Sequence, residues 1–340
     1  MANQTRQLAE LLRGAGADVQ LVQTNAPYRP VWVGRLPVVR AGFRLLPYLY
    51  RLWRAAARSD LFHVMANSGW SWHLFAAPAV RVAALRGVPV VVNYRGGEAA
   101  AFLARSHRSV RRTMSRAKAV AVPSEFLRDV FATYDIATEV VPNVVDLARF
   151  HPPAAARPRA AHLVVTRNLE PIYDNATAIR AFAIVHAKVP YARLTIAGTG
   201  PELAPLRALA AELGVGNAVE FTGRLDRDDV ASLYRRADIA LNPSTVDNMP
   251  NSVLEALASG VPVVSTDVGG VRHIVQDGTT AVLVPPRNAE AMARAVLRLL
   301  ENPSEAEHLV TAGLEAVGRY TWPRVQPVLG DVYARAAGRA

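Results

Sequence analysis

Short apolar runs alternate with helical patterns over most of the second half of the chain. The runs are rich in Val, Ile and Leu, and helical periodicity separates them, as in Ala176–Lys188 and Ala204–Leu213. The candidate strands are Leu163–Thr166, Leu194–Ala197, Val219–Thr222, Ile239–Leu241, Val261–Ser265 and Ala281–Val284. Because buried strands that alternate with helices are typical of a doubly wound parallel sheet, the pattern predicts an α/β domain.

The first half repeats this alternation, but it begins with a helical pattern over Gln4–Arg13. Its candidate strands are Val19–Gln23, Leu61–Met65, Val88–Asn93, Ala119–Pro123 and Thr138–Val141. A doubly wound sheet normally begins with a strand, which lies at the centre of the sheet in the common strand order. We therefore expect that the first strand of this domain is missing and lies upstream of Met1. A rearranged sheet is the alternative.

The length of the chain, 340 residues, fits two domains of about 150 residues each. The stretch Pro152–Pro158 is rich in Pro and Ala, which is typical of a linker. We expect one domain over residues 1–150 and a second over residues 151–319, with a helical segment over residues 320–340 at the end.

The positive charge of the chain, +11 in total, belongs to its first half. Residues 1–150 hold 20 basic residues (Lys and Arg) against 9 acidic ones (Asp and Glu), whereas the remaining residues hold 19 basic and 19 acidic residues. We therefore expect the two halves to meet different partners. The absence of cysteine excludes disulfides and cysteine-based chemistry. Without a signal-peptide pattern or an apolar run of ~20 residues, we expect a cytoplasmic protein.

The segment Asp247–Glu255 places two carboxylates eight positions apart. The strand Ile239–Leu241 leads into a loop, and a short helical pattern follows Pro250 and ends at Gly260. A helix N-terminus after a strand-end loop offers N–H groups and a positive dipole end to an anion. A carboxylate on each side of that turn can hold the neutral hydroxyls of a ligand. This combination suits a phosphorylated sugar.

Further motifs follow one another in order along the second half. They are Gly198-Thr199-Gly200-Pro201, Val219–Arg224, Ala237-Asp238, Asn242-Pro243-Ser244, Glu255–Val264, Gly269-Gly270, Asp277-Gly278 and Val284-Pro285. In this order they resemble the retaining nucleotide-sugar glycosyltransferases of family 4, the glycosyl transferases group 1. The resemblance implies the GT-B fold, in which two doubly wound Rossmann-like domains face a central cleft. It also implies that the helix after Trp322 crosses back onto the first domain.

The resemblance assigns a role to each matching position. Glu255 would hold the ribose hydroxyls of the donor nucleotide, Asp247 would face the transferred sugar, and Arg167 would neutralise the diphosphate leaving group. Further donor contacts are implied for Asn248, Met249, Pro250, Asn251, Arg224 and Gly198. Because no protein nucleophile is evident, front-face transfer with retention is the family expectation. We expect neither a metal nor a cofactor, since the nucleotide sugar is a co-substrate.

The chain departs from the family pattern at three positions. The first carboxylate is Asp247 rather than the usual Glu, and it is one methylene shorter. The family's phosphate-binding Lys, about six residues after Arg167, is absent, and Ile172–Asp174 stand in that stretch. In the first domain Arg95 takes the place often held by a His. Arg95 cannot act as a base at neutral pH, but it can bind an anionic acceptor or a donor phosphate, so it joins Asp247 and Arg167 as a candidate catalytic residue.

The run Asp226–Asp229 superficially resembles an Asp-x-Asp metal site. It precedes a helical pattern, so helix capping is the better explanation, and we assign no metal. The histidines show no metal-ligand spacing, and lone histidines such as His63 and His73 are usually structural.

Two basic segments interleaved with apolar residues lie in the first domain, over residues 35–58 and 105–118. A basic amphipathic helix is typical of a membrane-surface element. The alternative is an ordinary helix whose apolar stripe belongs to the core and whose arginines are solvated. Nucleic acid is a third candidate partner, but no nucleic-acid motif accompanies the charge, and we expect none. We favour an anionic membrane surface slightly, since a lipid-linked acceptor would need it.

We interpret the chain as a retaining, metal-independent hexosyltransferase. It would move a sugar from a nucleotide-diphosphate donor to a cell-envelope or exopolysaccharide acceptor, a class that includes lipid-linked glycans, at the inner membrane face. The second domain would hold the donor, and the basic first domain the acceptor. The competing hypothesis is a degenerate, non-catalytic GT-B protein that acts as a binding module. The absent lysine, the shorter carboxylate and the missing strand favour that alternative.

Overall fold

The computed structural model describes residues 2–24, 39–155 and 160–338. The chain forms two compact units, one of Met1–Pro142 with Val325–Ala340 and the other of Asn143–Arg324. Each unit contains a parallel sheet with helices between its strands, as the alternating pattern predicts. The α/β class with two Rossmann-like domains is therefore confirmed.

The described sheet of the first unit has four parallel strands in the order β1-β2-β3-β4. They are β1 (Phe62–Ala66), β2 (Val90–Tyr94), β3 (Ala119–Val122) and β4 (Glu139–Val140). The helices up to this point are α1 (Ala2–Gly14), α2 (Val39–Ala56), α3 (Ala77–Leu85), α4 (Ala99–Met114) and α5 (Glu125–Ala132). A π-helical turn, Trp72–Ala76, leads into α3. Every residue of β2 is buried, because helices cover both faces of a parallel sheet.

The predicted strand over Val19–Gln23 is wrong. No ladder joins residues 19–23 to a described strand, although Val22 packs against the core of the first unit. An extended segment becomes a strand only where a neighbouring strand supplies backbone partners, and an alternating apolar pattern does not encode that neighbour. The expectation of a strand upstream of Met1 stays a prediction, whereas the helix predicted over Gln4–Arg13 matches α1.

The sheet of the second unit has six parallel strands in the order β10-β9-β8-β5-β6-β7. They are β5 (His162–Val165), β6 (Arg193–Ala197), β7 (Val219–Gly223), β8 (Ile239–Asn242), β9 (Val263–Thr266) and β10 (Val282–Val284). The remaining helices are α6 (Asn175–Lys188), α7 (Leu203–Glu212), α8 (Arg227–Arg236), α9 (Asn251–Ala258), α10 (Ala289–Glu301), α11 (Pro303–Val317) and α12 (Trp322–Ala336). The strands follow one another outwards from β5 on one side (β5-β6-β7) and outwards from β8 on the other (β8-β9-β10), so the strand order reverses between β5 and β8. Leu163, Phe182 and Met292 are fully buried in the core of this unit.

The second unit starts before the boundary expected at residue 150. The Asn143 side chain donates to the Met249 carbonyl over 2.9 Å, and the Val145 N–H donates to the Tyr320 carbonyl over 2.9 Å. These bonds tie the segment after β4 to residues 143–324. Residues 156–159 of the expected linker lie outside the described residues.

Candidate functional site

The reversal of strand order in the second unit brings two loops together at the carboxyl ends of the strands. One loop follows β5 and the other follows β8, and these strands pair with each other. In open α/β sheets the ligand crevice lies at such a switch point. Arg167 lies on the first loop and Asp247 on the second, so the topology itself places two of the predicted site residues at this crevice.

Arg167 and Asp247 form an ion pair in which the Arg167 Nη2 group donates to the carboxylate. Both side chains are nearly buried, with exposed fractions of 11% and 10%. Burial raises the pKa of Asp247, while the Arg167 charge and hydrogen bonds from Ser244 and the Asn248 backbone act in the opposite direction. Pairing of this kind is the usual way in which a protein keeps two buried charges.

Two further contacts fix the guanidinium of Arg167. Its Nη1 group donates to Ser252 Oγ, 3.4 Å away at the start of α9. The Tyr173 ring covers the face of the guanidinium, with its centroid 4.0 Å from Cζ, which is a close cation–π contact. Among the described residues, Arg167 Nε has no acceptor. The group is therefore held in place with hydrogen-bonding capacity left over for an anion.

Glycines allow the loops around this pair to approach closely. A Cβ atom on Gly198 would lie 2.0 Å from the Arg167 carbonyl oxygen, and one on Gly200 would lie 2.2 Å from that of Leu169. A Cβ atom on Gly270 would lie 1.6 Å from the Asn248 carbonyl oxygen. The structure thus gives Gly198 a packing role beside Arg167, and its predicted donor contact stays a prediction.

Glu255 lies on α9, half-buried, and it feels the positive charge of Arg167. Burial raises the pKa of Glu255 to about 7, although the charges of Arg227 and Arg167 lower it. Tyr234, fully buried on α8, donates to the Ser252 carbonyl over 2.9 Å and shares a hydrogen bond with the Thr166 hydroxyl. Tyr234 joins the site by contacts across the fold and Arg227 by its charge, so the sequence motifs assigned neither residue to the donor.

The predicted loop residues are held from outside the loop. Met249 is buried, its carbonyl accepts from the Asn143 side chain, and its sulfur accepts from the Asn143 backbone N–H, 3.2 Å away. The Asn143 side chain also donates to Asn251 Oδ1 over 2.7 Å. At the N-terminus of α9 the cap residue, Pro250, offers no side-chain hydrogen bond. The first N–H groups of this helix are thereby suited to an external anion.

Arg224 is exposed after β7, and no described hydrogen bond or ion pair joins it to Arg167, Asp247 or Glu255. Its predicted donor contact stays a prediction. The predicted helix cap at Asp226 is confirmed, because its carboxylate accepts from the N–H groups of Asp228 and Asp229, each over 2.9 Å.

In the first unit, Arg95 follows the end of β2. Its backbone N–H donates to the Ala66 carbonyl and its Nε group to Asn93 Oδ1, each over 2.9 Å. Burial lowers the pKa of Arg95 to about 10, so it stays charged at neutral pH. His63 Nδ1 lies 2.7 Å from the Tyr333 hydroxyl on α12, and burial with the Arg95 charge lowers its pKa to about 3. The site around Arg95 thus holds a cation next to a neutral imidazole.

The two basic segments differ in their exposed faces. On α4, Phe102, Leu103, Val110 and Met114 are buried, and the exposed face carries Arg105, Arg108, Arg111 and Arg112. On α2, three large apolar side chains remain exposed: Leu46 (69%), Tyr50 (62%) and Trp53 (46%). Residues 35–38 of the first segment lie outside the described residues. Within the described ranges, every helix falls short of the length and apolar content that a bilayer span requires.

Two family models match the chain. The model described as Glycosyl transferases group 1 matches residues 154–315, and Glycosyltransferase Family 4 matches residues 1–149. Glycogen synthase of Mycobacterium tuberculosis is 30% identical over 315 residues, which cover 88% of this chain and 73% of that protein. A mannosyltransferase of Mycolicibacterium smegmatis, named as GDP-mannose-dependent and acting on phosphatidylinositol monomannoside, is 28% identical over 340 residues, 89% of this chain and 88% of that one.

Solved structures show the same fold. Sucrose-phosphate synthase from Thermosynechococcus elongatus superposes with a TM-score of 0.76 at 22% identity, over 99% of this chain and 93% of that one. The Anabaena HepE protein in complex with UDP and glucose gives a TM-score of 0.74 at 17% identity, over 96% and 88% of the two chains. At these identities the likeness concerns the fold alone.

Proposed function

This chain belongs to the glycosyl transferases group 1, and from that membership we propose that it is a retaining glycosyltransferase. It moves a sugar from a nucleotide-diphosphate donor to a cell-envelope or exopolysaccharide acceptor, a class that includes lipid-linked glycans. The observation that carries the proposal is the Arg167–Asp247 pair at the switch point, with Glu255 on the adjacent helix.

The second unit supplies the groups that a nucleotide sugar needs. We assign the donor diphosphate to Arg167 and the uncapped N-terminus of α9, the ribose hydroxyls to Glu255, and the sugar hydroxyls to Asp247. When the bond between sugar C1 and the diphosphate oxygen breaks, negative charge grows on that oxygen. A fixed cation at this point stabilises the transition state more than the ground state.

The proposed transfer occurs on one face of the sugar. The acceptor hydroxyl oxygen bonds to C1 on the face that the diphosphate leaves, and its proton passes to the departing phosphate oxygen. Retention follows without a covalent intermediate on the protein. Because Arg167 carries the compensating charge, the proposed reaction needs neither a metal nor a cofactor.

We assign acceptor binding to the first unit. Arg95 lies at the carboxyl end of β2 and stays charged at neutral pH, so it suits an anionic group on the acceptor. The apolar face of α2 supports contact with a membrane, because exposed aromatic rings next to arginines are typical of interfacial helices. We therefore propose that the protein works at the inner membrane surface on a lipid-linked substrate.

A donor screen tests this function. The full chain is incubated with UDP-glucose, UDP-galactose, UDP-N-acetylglucosamine and GDP-mannose, and both binding and release of nucleoside diphosphate are measured. We expect one donor to bind and to release its diphosphate. Binding without release, with every acceptor offered, supports the non-catalytic alternative. Absence of binding to all four donors contradicts the proposal.

A further inference from the structure

The loop that follows β1, residues 67–73, presents a large aromatic ring to solvent. Trp70 is 77% exposed, whereas Trp72, two residues later, is fully buried. We call residues 67–73 the Trp70 loop. A buried indole beside an exposed one means that the loop is anchored by the first and displays the second.

Hydrogen bonds and close packing make the Trp70 loop rigid. Ser68 Oγ lies 2.7 Å from the Tyr94 hydroxyl, and the Trp72 N–H donates to the Gly69 carbonyl over 3.0 Å. A Cβ atom on Gly96 would lie 2.4 Å from Ser68 Oγ, so the loop packs against the backbone that follows β2. The π-helical turn Trp72–Ala76 continues the loop. Such turns are rare in proteins, and those that occur are often found at functional sites.

The ring of Trp70 also has a fixed neighbour. His73 meets it edge to face, with ring centroids 6.3 Å apart, and His73 in turn contacts the Phe102 ring at 5.7 Å. This chain of rings connects Trp70 to the core through Phe102, which is buried on α4. The indole is thus oriented by the fold while most of its surface stays open.

Polar groups gather at the same edge of the sheet. Gly96, which packs against Ser68, directly follows Arg95 in the sequence. The Arg95 Nε group donates a hydrogen bond to Asn93 Oδ1 over 2.9 Å. Asn93 is buried, and among the described residues its Nδ2 group has no acceptor. A buried donor without a partner calls for an explanation, and a ligand hydroxyl or carbonyl supplies one.

We propose that Trp70 is a stacking platform for a sugar ring of the acceptor. The hydroxyl rim of that sugar would face Asn93 and Arg95. This inference rests on the proposed function and adds the acceptor's chemical class. A pyranose ring has an apolar face of C–H groups and a rim of hydroxyls. The C–H face is attracted by the negative face of an indole, and the hydroxyls require donors and acceptors at the side. The Trp70 loop and the end of β2 offer both at the carboxyl edge of one sheet, where α/β proteins bind ligands.

The test uses the full chain with the variants Trp70→Ala and Trp70→Phe. The probes are the methyl glycosides of glucose, mannose, galactose and N-acetylglucosamine, and binding is followed by saturation-transfer NMR. Tyr191→Ala is the matched control, since Tyr191 is an exposed aromatic (69%) that belongs to no site. Thermal unfolding of each variant checks the fold, which a change at an exposed ring should leave intact.

We expect one glycoside to bind the wild-type chain and to bind Trp70→Ala about tenfold more weakly, while Trp70→Phe and Tyr191→Ala stay within about threefold. Equal binding by wild type and Trp70→Ala overturns the inference, and so does the absence of binding by wild type. A Trp70→Ala variant that loses only binding to anionic vesicles also overturns it, since the ring would then be a membrane contact. If glycoside binding depends on Trp70 but wild type releases no diphosphate from any donor, the platform stands and the enzyme proposal fails.

Discussion

The Arg167 guanidinium donates to the Asp247 carboxylate at the point where the strand order of the second sheet reverses. The two residues come from loops after β5 and β8, which are far apart in sequence and adjacent in space. Removing either partner leaves the other charge nearly buried and unpaired, which is strongly unfavourable. A diphosphate that binds here therefore adds to the pair rather than replacing Asp247, and phosphate oxygens can accept from a guanidinium in a bidentate way.

Tyr173 should determine how well Arg167 serves as an anion site. Its ring covers the guanidinium at 4.0 Å, in the stretch where the family's lysine is absent. A cation–π contact of this kind contributes roughly 0.5–2 kcal/mol, so Tyr173→Leu should raise the donor KM by about 2- to 30-fold. Tyr173→Phe keeps the ring and should stay near wild type. Steady-state release of nucleoside diphosphate measures both, and equal donor KM values for the two variants would refute the role of the ring.

Donor affinity should fall as the pH is lowered through about 7. Burial raises the pKa of Glu255 to about 7, and only the ionised carboxylate accepts two hydrogen bonds from ribose hydroxyls. Below this pH we expect the donor Kd to rise by about tenfold per pH unit. Calorimetric titrations between pH 5.5 and 8.5 measure the effect. Glu255→Gln should bind weakly at every pH, and a Gln variant that keeps the wild-type pH dependence would contradict the assignment.

The same titration should appear in the stability of the protein. Because the folded-state pKa of Glu255 lies above its ordinary value of 4.5, the unfolded chain releases the proton first. The stabilisation is therefore complete below about pH 4.5 and is lost as the pH rises to about 7. Urea unfolding measures this for wild type and Glu255→Gln. The free energy of unfolding of wild type, relative to that of the variant, should fall as the pH rises across this range. This readout needs no donor.

Gly270→Ala should disrupt the loop that carries Asp247. The new methyl group would lie 1.6 Å from the Asn248 carbonyl oxygen, and the Gly270 N–H donates to the Asp247 carbonyl over 2.8 Å. We expect a loss of stability of about 1–3 kcal/mol and of donor binding by at least about tenfold. Gly330→Ala is the control, because nothing lies within 4 Å of its Cβ position in α12. That change should be neutral or slightly stabilising by thermal unfolding. Normal donor binding in Gly270→Ala would show that the loop tolerates displacement.

The two basic helices should contribute differently to the proposed membrane binding. The combined change Leu46→Ser, Tyr50→Ser and Trp53→Ser removes the exposed apolar face of α2 and should weaken binding to vesicles with anionic lipid at all salt concentrations. Replacing the arginines of α4 with serine removes only charge, so its effect should vanish at high salt. The replaced arginines are Arg105, Arg108, Arg111 and Arg112. Vesicle sedimentation measures both variants, and unchanged binding of the α2 variant would exclude that face.

Both sheets were predictable because buried parallel strands leave a local signature, a short apolar run between helical patterns. Val19–Gln23 carries a similar signature, yet no described strand pairs with it, since pairing depends on neighbours that a local pattern does not contain. The positions of Arg167, Asp247 and Glu255 followed from a resemblance that spans ordered motifs.

The surroundings of those residues were not predictable in the same way. Tyr173 lies on the same loop as Arg167, but only the folded turn brings its ring onto the guanidinium. Tyr234 reaches Ser252 across 18 positions of sequence, and Asn143 reaches Met249 across 106. Such contacts depend on the packing of whole elements, so they appear only once the fold is known.

We propose Arg167 as the cation that receives the donor diphosphate, and the effect of its replacement on the release of nucleoside diphosphate tests this role. Release of nucleoside diphosphate is compared in wild type, Arg167→Gln and the control Arg193→Gln, whose exposed side chain starts β6. We predict that Arg167→Gln lowers the rate by at least about 100-fold, as expected for the loss of a group that stabilises developing charge. Arg193→Gln should match wild type. A wild-type rate of release in Arg167→Gln would exclude this role for Arg167.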